Sequence, residues 1–236
     1  MQAVILAGGL GTRLRPLTEN IPKPMVLVAG RPFLDRELHF LKKNGFREFV
    51  ICAGYRSSVI KDYFEDGHAL DISIVYSEDG EKQLGPAGAL RKAASHLQRE
   101  FMVTYGDSFL QLDYLTFIDK FHSSEKLGMM AVLENYNKYG KGDIVVQNGM
   151  VTKYDKSGMA PDMTWINYGA TLLRRQALDL IPESMAVGEE QFYGELIRRK
   201  ELAAFPTHER FYEIGTIAGL REFENFILQK PELFEN

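Results

Sequence analysis

The chain of 236 residues is 45% hydrophobic and 25% charged, an ordinary composition for a globular protein that excludes a disordered, collagen-like or coiled-coil chain. Its 28 Lys and Arg residues against 32 Asp and Glu residues give a net charge of −4, so we expect no nucleic-acid partner. The single cysteine, Cys52, excludes a disulfide framework and a cysteine-based zinc site.

Hydrophobic segments are short throughout the chain. The apolar opening, Ala3–Ala7, has no basic residue before it and is too short for a signal-peptide core or a membrane span. No later run approaches the length of about 18 apolar residues that a membrane helix needs. We therefore expect a soluble, cytoplasmic protein without a membrane partner, and a homo-oligomer is compatible with the sequence.

The first half of the chain alternates short β-rich runs with helical patterns, which predicts βαβ units and a mostly parallel sheet. The predicted strands are Val4–Ala7, Phe49–Ala53, Ile72–Tyr76 and Phe101–Thr104. The predicted helices are one that Pro32 opens and Gly45 ends, one around Val59–Phe64, and Ala87–His96.

The second half changes character. Asn148-Gly149 is a strong hairpin signal between Asp143–Val146 and Met150–Tyr154. Trp165–Leu173 is predicted as a strand, and Glu189–Arg199 and Thr216–Leu228 as helices. Together the patterns predict one α/β domain with a Rossmann-like sheet. About residues 1–110 would form a nucleotide-binding lobe, and about residues 111–236 a smaller antiparallel lobe for a second substrate.

The densest chemical signal is the loop after the first strand, Leu6–Leu14, which reads LAGGLGTRL. Three glycines in four residues let the backbone approach a ligand closely, and exposed amides in such a loop form a nest for an anion. The loop does not match a dinucleotide fingerprint, because Leu14 stands where glycine or alanine is needed, and no Gly-Lys-Ser/Thr motif occurs.

A second basic feature follows this loop. Pro22 and Pro24 hold the segment around Lys23 extended, so its ammonium group is aimed in one direction. Backbone amides, the guanidinium of Arg13 and the ammonium of Lys23 are the groups that a triphosphate needs during substitution at phosphorus.

The two motifs together, LAGGLGTRL and the PKPM run Pro22–Met25, resemble the signature of the sugar-1-phosphate nucleotidyltransferases, or nucleotide-sugar pyrophosphorylases. The resemblance extends to about residue 220 and implies a GT-A-like nucleotidyltransferase fold. It implies that Arg13 and Lys23 are catalytic. It also implies nucleotide contacts from two glycine loops, at Leu6, Ala7, Gly8, Gly9, Gly11, Thr12, Gly85 and Gly88.

The same resemblance implies a metal site and a sugar-phosphate site. Asp107, in a Gly-Asp pair, is similar to the family's metal aspartate, and Glu213 stands where the family usually has a second aspartate. Mg²⁺ is the expected cofactor, since it prefers oxygen ligands. Lys156 would meet the phosphate of the sugar substrate, and Asn167 and Gly169 would lie beneath the sugar.

The implied reaction joins an NTP to a sugar 1-phosphate and gives an NDP-sugar and pyrophosphate. The length and the opening resemble heptose- and mannose-1-phosphate guanylyltransferases, so guanylyl transfer is the leading interpretation. The runs Ile51–Tyr55 and Val103–Asp107 are instead similar to glucose-1-phosphate cytidylyltransferases, which leaves cytidylyl or uridylyl transfer open. A catalytically silent regulatory subunit that binds nucleotide sugars is the alternative from another class, because Pro86 replaces the threonine usual in the second glycine loop and Glu213 replaces the usual aspartate.

Overall fold

The computed structural model describes residues 1–80, 82–136, 138–158, 161–183 and 185–234. The strands are β1 (Gln2–Ala7), β2 (Leu27–Val28), β3 (Arg31–Pro32), β4 (Glu48–Ala53), β5 (Ser73–Glu78), β6 (Glu100–Tyr105), β7 (Ser108–Leu110), β8 (Gly128–Glu134), β9 (Ile144–Gln147), β10 (Met150–Tyr154), β11 (Trp165–Arg174), β12 (Leu202–Thr207) and β13 (Phe211–Glu213). The α-helices are α1 (Phe33–Lys43), α2 (Ser57–Phe64), α3 (Gly85–Ala93), α4 (Tyr114–Ser123), α5 (Glu189–Arg198) and α6 (Ile217–Gln229).

The chain forms two compact units, and neither is continuous in sequence. The first unit contains the chain up to Gln83, the short stretch Thr104–Phe109, and the chain from Phe211 onward. The second unit contains Leu84–Val103 and Leu110–Arg210. Within the described residues, no helix combines the length and the apolar character that crossing a bilayer requires.

Parallel pairing organises the first unit. Strand β1 pairs with β4, and β4 pairs with β5, in both cases in parallel, as the alternation of β-rich and helical segments predicts. Strands β1 and β4 carry runs of buried apolar residues, which is typical of strands covered on both faces, whereas β5 alternates buried Ile74 with exposed Val75. The carboxyl end of β1 therefore delivers the glycine loop to one edge of this sheet.

A second core in the first unit fixes the C-terminal segment. Phe33 of α1, Phe109 of β7 and Phe223 of α6 are fully buried against one another, with ring centroids 5.0–5.3 Å apart for the pairs Phe33–Phe223 and Phe109–Phe223. Leu14 and Ile214 join this cluster. Burying aromatic rings contributes strongly to stability, so the segments that carry Leu14 and Ile214 are held at fixed places.

The second unit has a mixed sheet in the order β11-β8-β12-β10-β9. Strand β11 is antiparallel to β8, β10 is antiparallel to β9, and β12 is parallel to β8. The predicted hairpin is confirmed, since Asn148 (φ 51°) and Gly149 (φ 73°) both have the left-handed conformation that a two-residue turn of this type requires. Strand β11 is irregular between Asn167 and Thr171, where its register with β8 shifts.

Candidate active site

The first glycine loop is anchored by its surroundings. Gly11 has a φ of 63°, and a Cβ atom there would lie 3.1–3.2 Å from side-chain atoms of Thr18 and Lys23, so glycine is required for both conformation and space. The Thr18 hydroxyl donates a hydrogen bond of 2.8 Å to the Gly11 carbonyl. Leu14, at the end of the loop, is fully buried. The exposed backbone of Gly9 is consequently presented to solvent by a fixed loop.

Lys23 is the more buried of the two cations of this region. It begins a short 3₁₀ turn, Lys23–Met25, so the prediction of an extended segment around Lys23 is wrong, because the fixed φ of Pro24 also suits a 3₁₀ turn. The Lys23 side chain is only 10% exposed. Its Nζ forms an ion pair with Asp107 Oδ2 and lies 3.8 Å from Glu213 Oε1. Arg13 reaches the same Glu213 oxygen with Nη2 at 3.4 Å. We call these four residues the Lys23 cluster.

Backbone contacts bring the two carboxylates of the Lys23 cluster together. Asp107 follows β6, and the N–H of Ile214 donates a hydrogen bond of 2.9 Å to its carbonyl, which ties it to the residue after Glu213. The N–H of Gly106 donates 3.0 Å to the carbonyl of Leu6 at the end of β1. Three separate segments of the sequence therefore meet at one place in the first unit.

Two glycines leave room for the acids. A Cβ at Gly106 would lie 3.1 Å from Pro24 Cγ, and a Cβ at Gly215 would overlap the Glu213 carboxylate. Since Pro24 adjoins Lys23, substituting Gly106 would push on the lysine, whereas substituting Gly215 would push on Glu213. A larger residue at either position would thus displace Pro24 or Glu213.

The donor set of the Lys23 cluster suits Mg²⁺. Asp107 and Glu213 provide carboxylate oxygens, and magnesium sites in phosphoryl-transfer enzymes commonly use one or two carboxylates together with substrate phosphates. Within the described residues there is no group of three or more acidic, histidine or cysteine side chains arranged to hold an ion. The remaining ligands would therefore have to come from substrate phosphates and water.

Glu37 is a residue of this region that the sequence analysis did not single out. It lies on the buried face of α1 and is 4% exposed, and the Thr104 hydroxyl hydrogen-bonds its carboxylate. Burial, followed by repulsion from Asp107, holds its pKa well above the usual range. The signal was present in the sequence, because an acid at this position interrupts the apolar stripe of Phe33, Leu34 and Leu41.

The second glycine loop packs against the chain before α5. Gly85 has a φ of 70°, and a Cβ there would lie 2.7 Å from the carbonyl oxygen of Val187. The N–H groups of Ala87 and Gly88 donate to that same oxygen at 3.1 and 3.3 Å. Close backbone approach is thus one physical reason for glycine at positions 85 and 88, independent of any nucleotide contact.

The predicted sugar-phosphate residues lie in the second unit with two partners that the sequence did not reveal. Lys156 Nζ forms an ion pair with Glu189, whose Oε1 also accepts 2.9 Å from the Tyr154 hydroxyl. The Asn167 N–H donates 3.0 Å to Asp143 Oδ1. We call Asp143, Tyr154, Lys156, Asn167 and Glu189 the Lys156 cluster.

Strand irregularity shapes this cluster. The Asn167 side chain folds back on its own strand, where its Oδ1 accepts 3.0 Å from the N–H of Gly169. Gly169 has a φ of 103°, which a larger residue rarely adopts, and it lies where the register of β11 shifts. Gly169, the third predicted residue of the sugar-phosphate site, thus permits the Asn167 side chain to fold back on its strand.

Charges in the Lys156 cluster are coupled. Burial raises the pKa of Asp143 to about 6, against a lowering effect of the Asn167 N–H and of Lys156. Burial and the neighbouring Glu189 raise the pKa of the Tyr154 hydroxyl, which therefore stays protonated as a donor. Glu189 is 7% exposed at its side chain, so its charge depends on Lys156 and on the Tyr154 hydroxyl for compensation.

Sequence comparison places the chain among known proteins. It matches the nucleotidyl transferase family over residues 2–230. A D-glycero-alpha-D-manno-heptose 1-phosphate guanylyltransferase from Campylobacter jejuni is 31% identical over 215 residues, which cover 91% of this chain and 95% of that protein. A glucose-1-phosphate cytidylyltransferase from Salmonella typhi is 32% identical, with 90% of each chain covered.

Solved structures agree with this placement. HddC from Yersinia pseudotuberculosis, in complex with GMP-PN, has a TM-score of 0.78 at 25% identity, covering 96% of this chain and 99% of that one. A putative glucose-1-phosphate thymidylyltransferase from Bacillus anthracis, at 18% identity, has the same fold with a TM-score of 0.85 over 96% and 94% of the two chains. The predicted α/β fold class and the family resemblance are confirmed. The chain belongs to the nucleotidyl transferase family.

Proposed function

We propose that this protein transfers a nucleotidyl group from an NTP to a sugar 1-phosphate and releases pyrophosphate. The observation that carries the proposal is the Lys23 cluster, in which a nearly buried lysine lies between two carboxylates beside an exposed glycine loop. An ammonium group, a guanidinium group and a fixed backbone loop suit the binding of a triphosphate. The family relatives described above support the same reaction class.

In the proposed reaction an oxygen of the sugar phosphate attacks the α-phosphorus of the NTP. The bond between that phosphorus and the oxygen bridging to the β-phosphate breaks, and pyrophosphate leaves with the bonding electrons. Because the nucleophile is already an anion, the protein has no proton to remove. Its contribution is positioning and charge neutralisation, as in other transfers at phosphorus.

Each cluster has a part in this proposal. Lys23 would contact the α-phosphate and the incoming phosphate, and Arg13 would neutralise the departing pyrophosphate. Mg²⁺ on Asp107 and Glu213, once bound, would supply further neutralisation of the phosphates. Lys156 would contact the phosphate of the sugar substrate, with Asn167 and Gly169 beneath the sugar. The two glycine loops would contact the nucleotide, at Leu6, Ala7, Gly8, Gly9, Gly11, Thr12, Gly85 and Gly88.

For the substrates we propose GTP with D-glycero-D-manno-heptose 1-phosphate or mannose 1-phosphate. The similarity to the Campylobacter guanylyltransferase and to the Yersinia structure with GMP-PN supports this choice. The cytidylyltransferase from Salmonella typhi is equally similar in identity, so CTP with glucose 1-phosphate is the second candidate. We propose a cytoplasmic location, where these substrates occur.

A pyrophosphate-release assay that crosses GTP, CTP, UTP and dTTP with heptose, mannose and glucose 1-phosphates tests the proposal. The Lys23→Ala variant serves as the background control, because activity that survives in it would come from a contaminant. Release with one NTP and one sugar phosphate, dependent on Mg²⁺ and on Lys23, is the expected result. Tight binding of an NDP-sugar without any turnover would instead favour the silent binding subunit.

A further inference from the structure

The second unit contains a cleft of about 560 Å³ that none of the proposed substrate contacts uses. The C-terminal end of α3, the turn that follows it, the last residue of β11 and the 3₁₀ turn after β11 line the cleft. Four of its nine lining residues are arginines, namely Arg91, Arg99, Arg174 and Arg175. Asp179 is the one acid among the nine.

Such a concentration of guanidinium groups is unusual in an acidic chain. The lining carries a net charge of +3, from four arginines and one aspartate, whereas the whole chain carries −4. Glu183 and Glu100, which pair with Arg91 and Arg174 at 2.7 and 3.5 Å, compensate part of that charge. The net charge is still +1 when Glu183 and Glu100 are counted together with the lining residues.

Two of the arginines have no acidic partner among the described residues. Arg99 and Arg175 are both exposed and appear in no ion pair, although their backbones are joined by a hydrogen bond of 2.8 Å from the Arg175 N–H to the Arg99 carbonyl. Arg175 Nη1 donates 3.1 Å to the carbonyl of Leu97, which leaves its other guanidinium nitrogens available. The backbones of Arg99 and Arg175 are therefore adjacent, and both side chains carry a guanidinium group without an acidic partner among the described residues.

Arg174 adds a third, more rigid group. Its side chain is 20% exposed and its guanidinium lies over the Phe121 ring at 5.2 Å. Its buried Nε makes no hydrogen bond within the described part of the chain, although Glu100 Oε1 lies 3.5 Å away in the ion pair given above. Ser95 and Gln176 provide further polar groups in the lining, and Ala94 and Leu178 provide apolar surface.

We propose that this cleft is a second anion site, which binds a small molecule bearing phosphate groups. Arginine forks match phosphate oxygens in pairs, and a volume of several hundred Å³ suits a small organic ligand. The apolar and amide surface beside the arginines would contact the rest of such a molecule. Nucleic acid is disfavoured as the occupant by the acidic character of the chain as a whole.

The site is distinct from the Lys156 cluster. Asn167 and Arg174 lie on the same strand seven residues apart, a separation of roughly 20 Å along an extended chain. Within α3, Arg91 lies six residues beyond Gly85, at the opposite end of the helix from the second glycine loop. A ligand at the arginines would therefore not occupy the proposed contacts of Lys156 or Gly85.

Isothermal titration calorimetry on the full chain tests the proposal, with fructose 1,6-bisphosphate and inorganic phosphate as separate probes. We expect binding of at least one probe at millimolar concentration or below. The Arg99→Gln/Arg175→Gln variant should raise Kd about tenfold or more, because each lost charge-assisted contact weakens binding. Tighter binding of the bisphosphate would identify a phosphate ester as ligand, and equal affinity would identify free phosphate.

Two control variants make the result specific. Arg198→Gln/Arg199→Gln removes the same charge from two exposed positions at the C-terminal end of α5 in the same unit and should leave Kd unchanged. Lys23→Ala should also leave Kd unchanged, which excludes binding at the Lys23 cluster. The single variant Arg99→Gln, at an exposed side chain without an ion pair, replaces the double variant if the latter is unstable. No binding of either probe, an unchanged Kd in both cleft variants, or an equal loss in either control would overturn the proposal.

Discussion

The Lys23 and Lys156 clusters both pair a lysine with a carboxylate, but the lysine is the more buried partner in the first and the carboxylate is the more buried partner in the second. Lys23 has a side chain 10% exposed, whereas its partners Asp107 and Glu213 are 29% and 42% exposed. In the Lys156 cluster the lysine is 53% exposed and its partner Glu189 is 7% exposed. One cluster therefore fixes the cation and leaves the acids accessible, while the other fixes the acid and leaves the cation accessible.

This difference in burial predicts different roles for Lys23 and Lys156. A rigid ammonium with accessible acids suits a place where charge changes during reaction and where a metal ion can bind, because little reorganisation is then needed. An exposed ammonium on a flexible stem suits capture of a phosphate, at the cost of ordering its side chain. We expect substitutions in the Lys23 cluster to change kcat, and substitutions of Lys156 to change KM.

The largest effect is expected for Lys23→Ala. Removing a fixed charge-stabilising donor costs about 3 kcal/mol, so kcat should fall by roughly 10² or more. Lys61→Ala, which removes another lysine of the first unit that is ion-paired with Glu78 at 2.8 Å, is the control and should retain full turnover. Steady-state pyrophosphate release and thermal melting measure the outcome. Wild-type kcat in a folded Lys23→Ala protein would contradict the role given to the fixed lysine.

Glu213 tests whether the accessible acids hold the metal. Glu213→Asp keeps the charge and restores the residue that the family pattern favours, so it should remain partly active. Glu213→Gln keeps size but removes the charge that balances Mg²⁺, so kcat/KM should fall about tenfold or more below that of Glu213→Asp. The comparison is made at limiting and saturating Mg²⁺. Glutamine performing as well as aspartate at both concentrations would assign the metal to Asp107 without Glu213.

The motifs that could be predicted are those in which local sequence dictates the backbone. The glycine loop and the Asn148-Gly149 turn each need particular residue types at adjacent positions, and the structure has the expected local conformations. The extended segment predicted around Lys23 is instead a 3₁₀ turn, Lys23–Met25, and only Pro22 before it is extended. The convergence of Asp107 and Glu213 was accessible through the family resemblance. No local pattern would have revealed it, because 106 positions separate the two residues in the sequence.

Other features could not be predicted for physical reasons. Glu189 follows Gly188 at the start of α5, where acids are common simply because they favour a helix N-terminus, so its partnership with Lys156 had no separate signal. The apolar run Gly128–Glu134 is compatible with either a buried strand or a helix segment by periodicity alone. Its parallel pairing with β12 depends on tertiary contacts that no local pattern encodes.

Lys156→Ala examines the other side of the comparison. Loss of one charge-assisted contact to a phosphate should raise KM for the sugar phosphate about tenfold while kcat changes less. Lys153→Ala, on β10 three residues before Lys156 and also exposed, is the matched control and should keep the wild-type KM. A drop in kcat with unchanged KM would place Lys156 in the chemical step and remove the distinction between the two lysines.

The smallest effect concerns the buried side of the Lys156 cluster, where Asp143 titrates near neutral pH. Its pKa is about 6 in the folded protein against an ordinary 3.8, so the folded state holds a proton that the unfolded state has lost. Its contribution to stability is therefore complete below about pH 3.8 and is lost as pH rises through 6. Between pH 5 and pH 7 the free energy of unfolding should fall by about 1 kcal/mol from this group.

Asp143→Asn isolates that contribution, since its amide oxygen can still accept the hydrogen bond from the Asn167 N–H. The stability difference between wild type and Asp143→Asn, measured by urea unfolding at several pH values, should shift in favour of the variant as pH rises. Other titrating groups cancel in that difference. A stability difference that stays constant from pH 5 to pH 7 would mean that Asp143 is already ionised in that range. Lys156 would then balance the charge of Asp143 as well as that of Glu189, and the Lys156 cluster would contain two ionised acids rather than one.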